Sequence, residues 1–231
     1  MILEEPSWDS LPSPMDLVSS DDTPVNDELQ NLVPSLLNSV LAGVWANRTD
    51  WCFGISMGIF YNPNEPPAVP NAFLSLGTQR VIDDDEYEDL RLCYVSWIEK
   101  VAPIMVLEIV PYNTCGEEYI GKRKLYEKLG ILYYVIYNPR RRRKTTFEVF
   151  RLIDGTYILQ PGSPVWLEEV GLGIGCERGT YLGITRDWLY WYDRQGIRYP
   201  TPEERVAAAE QRAQRLAEEL RRLGVDPDNL E

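Results

Sequence analysis

The sequence predicts an α/β fold, on three observations. Two short runs, "IMVLEIV" (Ile104 to Val110) and "ILYYVIY" (Ile131 to Tyr137), have the near-continuous apolar character of strands covered on both faces. A short helix over roughly 117–129, closed by Gly130, lies between them, which suits a βαβ crossover with parallel pairing. "FEVFRLI" and "TYIL" then flank Asp154-Gly155, a dipeptide that favours a type I′ hairpin turn.

The other elements follow in chain order. Residues 1–22, "MILEEPSWDSLPSPMDLVSSDD", are acidic and proline-bearing and are expected to form a loosely attached leader. From about 26 to 44, Val33, Leu36, Leu37, Val40, Leu41 and Val44 recur at helical spacing, with Pro34 marking a helix start or a kink. "WCFGISMGIFY" (Trp51 to Tyr61) reads as a strand broken by "NPNEPP". "AFLSL" (Ala72 to Leu76) and "LCYVSWI" (Leu92 to Ile98) read as strands on either side of an acidic run, Asp83 to Asp89, expected as a solvated loop. After the hairpin, β-structure continues through "TYLGITRDWLYWYD", with a turn at "DRQG".

The last segment is a helix with a clear start: Thr201 as N-cap, Pro202 as first helical residue and Glu204 closing a capping box. Val206, Ala209, Ala213, Leu216, Leu220 and Leu223 then recur at alternating steps of three and four, and Gly224 ends the helix. Such a heptad seam either packs on its own domain or pairs two chains as a homodimer. The expected division is a leader over 1–22, one α/β domain over 23–199 and a C-terminal helix over 200–231.

Composition removes several classes of function. With 44% of its 231 residues hydrophobic, the chain can bury one substantial core. No apolar run approaches the ~18–20 residues needed to span a bilayer. The leader lacks the basic and apolar regions of a secretory signal, so a cytoplasmic location without a membrane partner is expected. Cys52, Cys93, Cys115 and Cys176 form no CxxC pair, which argues against a zinc ribbon or a disulfide framework. Histidine is absent, which excludes histidine triads, histidine general bases and imidazole metal sites. A thiol enzyme would also lack the base that activates its nucleophile. Any chemistry falls to carboxylates, lysine, hydroxyls or an oxygen-liganded metal. The formal net charge of −13 argues against broad adhesion to nucleic acid. The basic run Arg140, Arg141, Arg142, Arg143 and Lys144 is either plain surface or a local contact for phosphate.

Glu108 is the residue most at odds with its surroundings. It sits near the end of an otherwise apolar strand, where a carboxylate costs several kcal/mol unless it is paired, hydrogen-bonded or bound to a cation. The following helix offers a partner. Tyr119, Lys122, Tyr126 and Leu129 share one stripe, mostly apolar and so turned toward the sheet, which directs Lys122 inward and Lys124 away. Glu118, four residues earlier, can reach Lys122 on the same face. A structural ion pair explains Glu108 equally, and snorkelling or pairing with Glu118 explains Lys122.

Together, "PNAFLSLG", "PIMVLEIV" and "EEYIGKRKLYEKLGILYYVIYNP" resemble the Uma family of restriction-endonuclease-like proteins. That family is abundant in cyanobacteria and belongs to the PD-(D/E)xK nuclease superfamily. The resemblance spans about residues 25–195. It implies a restriction-endonuclease-like mixed β-sheet core flanked by helices, to which the C-terminal heptad helix is added. Glu108 matches the family's core acid, and Glu118, Lys122 and Tyr126 match its helix motif. Position 110, where the superfamily's commonest form carries lysine, is valine here, so the resemblance places the lysine at Lys122.

The family's first acid follows a proline, and here that dipeptide reads Pro70-Asn71. In this nuclease class the paired acids hold Mg²⁺, for which Mn²⁺ is a substitute. The metal polarises the scissile phosphate and helps generate hydroxide. The resemblance therefore implies a DNA endonuclease with Asn71 and Glu108 at the metal and Lys122 at the reacting phosphate. Glu118 would orient Lys122, and Arg140, Arg141, Arg142 and Arg143 would hold the DNA backbone. An amide in place of the first carboxylate removes negative charge, so weakened or absent turnover is expected. The alternative is a noncatalytic protein of the same fold that binds a partner or oligomerises.

Overall fold

Side-chain alternation in the central strands builds an apolar layer on each face of one sheet. The computed structural model describes residues 28–80, 82–84, 87–110, 117–139 and 146–227, with the backbone alone for 82–84, 87–89 and 117–120. In chain order the elements are α1 (Glu28–Val44), β1 (Trp51–Ile55), β2 (Ile59–Phe60), β3 (Ala72–Leu76), β4 (Ile82–Asp84), β5 (Tyr87–Asp89), β6 (Tyr94–Val95) and α2 (Ser96–Glu99). They continue as β7 (Met105–Ile109), α3 (Glu117–Lys128), β8 (Tyr133–Tyr137), β9 (Phe147–Ile153), β10 (Thr156–Gln160), β11 (Val165–Leu167), β12 (Leu172–Tyr181), β13 (Ile184–Tyr192) and α4 (Pro202–Arg222).

The main sheet has the order β1-β3-β7-β8-β9-β10. Within it β7 and β8 run parallel, as the crossover through α3 requires, and every other pair is antiparallel. The sheet is mixed and the fold is α/β. Met105, Leu107 and Ile109 of β7, with Tyr133, Val135 and Tyr137 of β8, face α1 and the second sheet, β11-β12-β13. Val106 and Tyr134, on the other side of the same strands, face Tyr126 of α3. The indole of Trp191 in β13 donates to the Leu37 carbonyl of α1 at 2.9 Å, fixing α1 on the second sheet.

The expected Asp154-Gly155 turn forms with both residues at positive φ (49° and 77°), as a type I′ turn needs. A second hairpin, β12–β13, turns on Leu182-Gly183, also with both φ positive (49° and 76°). Leucine is an unusual first residue there, so the sequence carries only the glycine as a signal.

Two strand expectations need correction. The run Trp51 to Tyr61 is two strands, β1 and β2, separated at Ser56, whose φ is +47°. The run Leu92 to Ile98 keeps only Tyr94–Val95 as strand and then turns into α2, ended by Lys100 at φ +59°. A short apolar run has no periodicity that separates strand from a helical turn. The acidic run carries a two-stranded antiparallel backbone, β4–β5.

Many large core residues are tyrosines, and burial raises their phenol pKa values. Tyr133 is pushed up to about 12, and Tyr94, Tyr126, Tyr137 and Tyr157 are also raised. A pKa raised in the folded state gives stability that is complete below the unfolded value, about 10, and is lost as pH rises beyond it. Thermal melts should accordingly show the melting temperature falling steeply once pH exceeds about 10.

At the C-terminal helix, Thr201 Oγ1 accepts the Glu204 N–H at 3.2 Å and Glu204 Oε2 accepts the Thr201 N–H at 2.8 Å, the expected capping box. Arg198 clamps the same carboxylate with two bonds of 3.0 and 2.7 Å and lies 3.4 Å from Glu177, which accepts from Tyr192. The first turn of α4 is thereby tied to β12 and β13. Beyond it, no residue of α4 is buried against the described residues. No helix among the described residues is long and apolar enough to cross a membrane.

Candidate active site

Three elements bring the sequence-selected residues to one corner. Glu108 alternates with Val106 and so points to the α3 face of β7. Asn71 stands immediately before β3, one step beyond the Ala72–Leu107 pair, so the β3–β7 register places it beside Glu108. Lys122 and Tyr126, one turn apart on α3, face down onto the same spot.

The Glu108 carboxylate is 3% exposed and has a defined set of partners. Its Oε1 accepts the Tyr126 hydroxyl at 2.6 Å and lies 3.1 Å from Lys122 Nζ, and its Oε2 accepts from the same ammonium at 3.3 Å. Lys122 Nζ also donates to the Val69 carbonyl at 3.3 Å, which ties α3 to the segment entering β3. The side chain of Lys122 keeps 30% of its exposure, so it lies between the buried Glu108 and solvent.

Burial, reinforced by the Glu108 charge and the hydrogen bond to it, holds the Tyr126 phenol well above its ordinary pKa. Tyr126 is a neutral donor throughout the neutral range. The sequence placed it on the stripe without assigning it to Glu108. The available signal was its position one turn after Lys122 on the inward face.

Asn71 is nearby but differently engaged. Its Oδ1 accepts the backbone N–H of Ile109, the residue after Glu108, at 2.7 Å. That bond braces the β3–β7 junction beside Glu108. The side chain of Glu118 and the residues Arg140, Arg141, Arg142 and Arg143 lie outside the described residues.

The donors among the described residues do not fit a tightly held divalent cation. Mg²⁺ takes about six oxygens at ~2.1 Å and surrenders its hydration shell reluctantly. Here the one buried carboxylate has an ammonium against both oxygens, and the amide oxygen already accepts a backbone hydrogen bond. Among the described residues no group of three or more His, Cys, Asp or Glu side chains is placed to hold a metal.

Comparison with known proteins decides the kinship. The Uma2 family model, described as "Putative restriction endonuclease", matches residues 17–178. The chain belongs to this family. Among solved structures, a crystal structure from Anabaena variabilis, described as "a putative nuclease belonging to DUF820", is 14% identical. The similarity covers 63% of this chain and 75% of that one, with a TM-score of 0.47. No curated protein matches the chain. The Uma2 match ends before β13 and α4, so it includes Asn71, Glu108 and Lys122 but not the heptad helix.

Proposed function

We propose that the chain is a DNA endonuclease by descent whose phosphodiester-cleaving centre, at Asn71, Glu108 and Lys122, holds Mg²⁺ or Mn²⁺ too weakly for efficient turnover. The observation that carries this reading is the convergence of these residues at one corner of a nuclease-family chain, with Lys122 at the solvent side of the buried Glu108. An ammonium on the solvent side of Glu108 is where an incoming phosphate would meet positive charge. Glu118 is assigned the orienting of Lys122, and Arg140, Arg141, Arg142 and Arg143 the holding of the DNA backbone.

The test is nicking of supercoiled DNA by the full chain, by Asn71→Asp and by Glu108→Ala, with Mg²⁺ or Mn²⁺. The expected order of activity is Asn71→Asp above the natural sequence, with Glu108→Ala at background. Equal background activity from all three would end the catalytic reading.

A noncatalytic reading draws on the same atoms. The Glu108–Lys122 pair and the Asn71–Ile109 hydrogen bond together form a finished structural joint that needs no ligand. Inert behaviour of Asn71→Asp, combined with unimpaired DNA binding, would favour it.

A further inference from the structure

The seam of α4 is built to be covered, and the described residues leave it open beyond the first turn. Val206, Leu216 and Leu223 are 57%, 58% and 73% exposed, although they lie on one stripe with Ala209, Ala213 and Leu220. Most helical stability in a folded protein comes from packing an apolar face, and none of the 21 residues of this helix is buried. The first turn is anchored through Arg198 and Glu204, so the projecting part has a fixed direction and an open face.

The composition of the seam selects its occupant. Its N-terminal half carries the small residues and its C-terminal half the leucines. Laid antiparallel on a second copy, Val206 meets the partner's Leu223, Ala209 the partner's Leu220 and Ala213 the partner's Leu216. Every layer then joins a smaller side chain to a leucine, the alternation that fills space between facing helices. A parallel pair would stack alanine on alanine at one end and leave that end loose.

Charge agrees with the antiparallel arrangement. Arg212 flanks the seam on the same side as Glu219, and antiparallel pairing sets Arg212 beside the partner's Glu219 twice over. Parallel pairing would instead need Arg205 to reach the partner's Glu210, but the Arg205 guanidinium lies against Gly43 of α1. A lipid surface is disfavoured because the polar face of α4 mixes five glutamates with five arginines, whereas surface-binding helices are dominated by cations.

We propose that α4 pairs antiparallel with α4 of a second copy, which makes the protein a dimer with its two α/β domains at opposite ends of a helical bridge. The paired seam, from Val206 to Leu223, is ~26 Å long at 1.5 Å per residue. This inference does not depend on the catalytic reading and concerns a part of the chain outside the family match.

Sedimentation or light scattering of the full chain should give twice the 26.6 kDa monomer mass. Leu216→Glu should weaken the dimer on the order of 100-fold, because each copy loses a buried leucine. Its near-ultraviolet circular dichroism, which reports the Trp and Tyr core of the domain and not α4, should be unchanged, since Leu216 touches no core. Orientation is read by mild oxidation: Ala209→Cys with Leu220→Cys should cross-link two copies, and neither single variant should do so above the natural sequence. A monomer at every soluble concentration, an unchanged dimer in Leu216→Glu, or efficient cross-linking by Ala209→Cys alone would each overturn the proposal.

Discussion

Lys122→Met should destabilise the fold by about 2–3 kcal/mol at neutral pH, and most of that loss should return when Glu108→Gln is added. Glu108 is 3% exposed and takes Lys122 against both carboxylate oxygens. Removing one member of a buried pair typically costs ~3–5 kcal/mol, because the remaining charge stays in a poor solvent. The lower figure applies here because Lys122 is 30% exposed, which lets water compensate part of the change. In the double variant the buried charge is gone, and the glutamine oxygen keeps a place for the Tyr126 hydroxyl. Urea melts of the two single variants and the double variant form a cycle whose coupling isolates the pair. A coupling below ~0.5 kcal/mol would mean that Lys122 is a solvated side chain with no structural hold on Glu108.

Asn71→Asp should make stability depend on divalent metal. The substitution preserves shape, and a carboxylate oxygen can keep the 2.7 Å bond from the Ile109 amide. It also places a second negative charge beside Glu108, which without a cation is unfavourable. A divalent ion relieves that repulsion and competes with Lys122 for Glu108. Metal affinity should rise on the order of 10-fold or more, since ligand charge is the main determinant for such hard cations. Thermal melts with and without Mg²⁺ report this directly, because binding only to the folded state raises the melting temperature. The natural sequence should show no Mg²⁺-dependent shift. An Asn71→Asp protein that melts identically with and without metal would show that the corner cannot admit a cation even with two acids.

The parts of this site legible in the sequence were those that depend on periodicity. Glu108 in an apolar strand, and Lys122 on the inward stripe of the next helix, follow from spacings of two and of three to four. The crossover, the Asp154-Gly155 hairpin and the Thr201 capping box also follow from local rules, and each appears where those rules put it.

What escaped were contacts decided between elements. The Asn71 bond to the Ile109 amide depends on how β3 and β7 meet, over a separation of 38 residues. The Val69 carbonyl at Lys122 is likewise a backbone atom with no residue signature. The break at Ser56 and the helical turn at α2 were missed because short aromatic runs satisfy strand and helix patterns alike. The β12–β13 hairpin lacked the usual turn dipeptide.

The hydrogen bond from Trp191 to Leu37 has a consequence for synthesis on the ribosome. The apolar face of α1 is completed by β13, which begins at Ile184, some 140 residues after α1 ends. At roughly 5–20 residues per second, α1 waits on the order of 10–30 s beside the growing chain before its cover is complete. During that interval Leu36, Leu37 and Leu41, all fully buried in the finished fold, present an oily strip to whatever is near. Nascent chains arrested before residue 184 should therefore recruit holding chaperones through α1, and chains arrested well beyond Tyr192 should not.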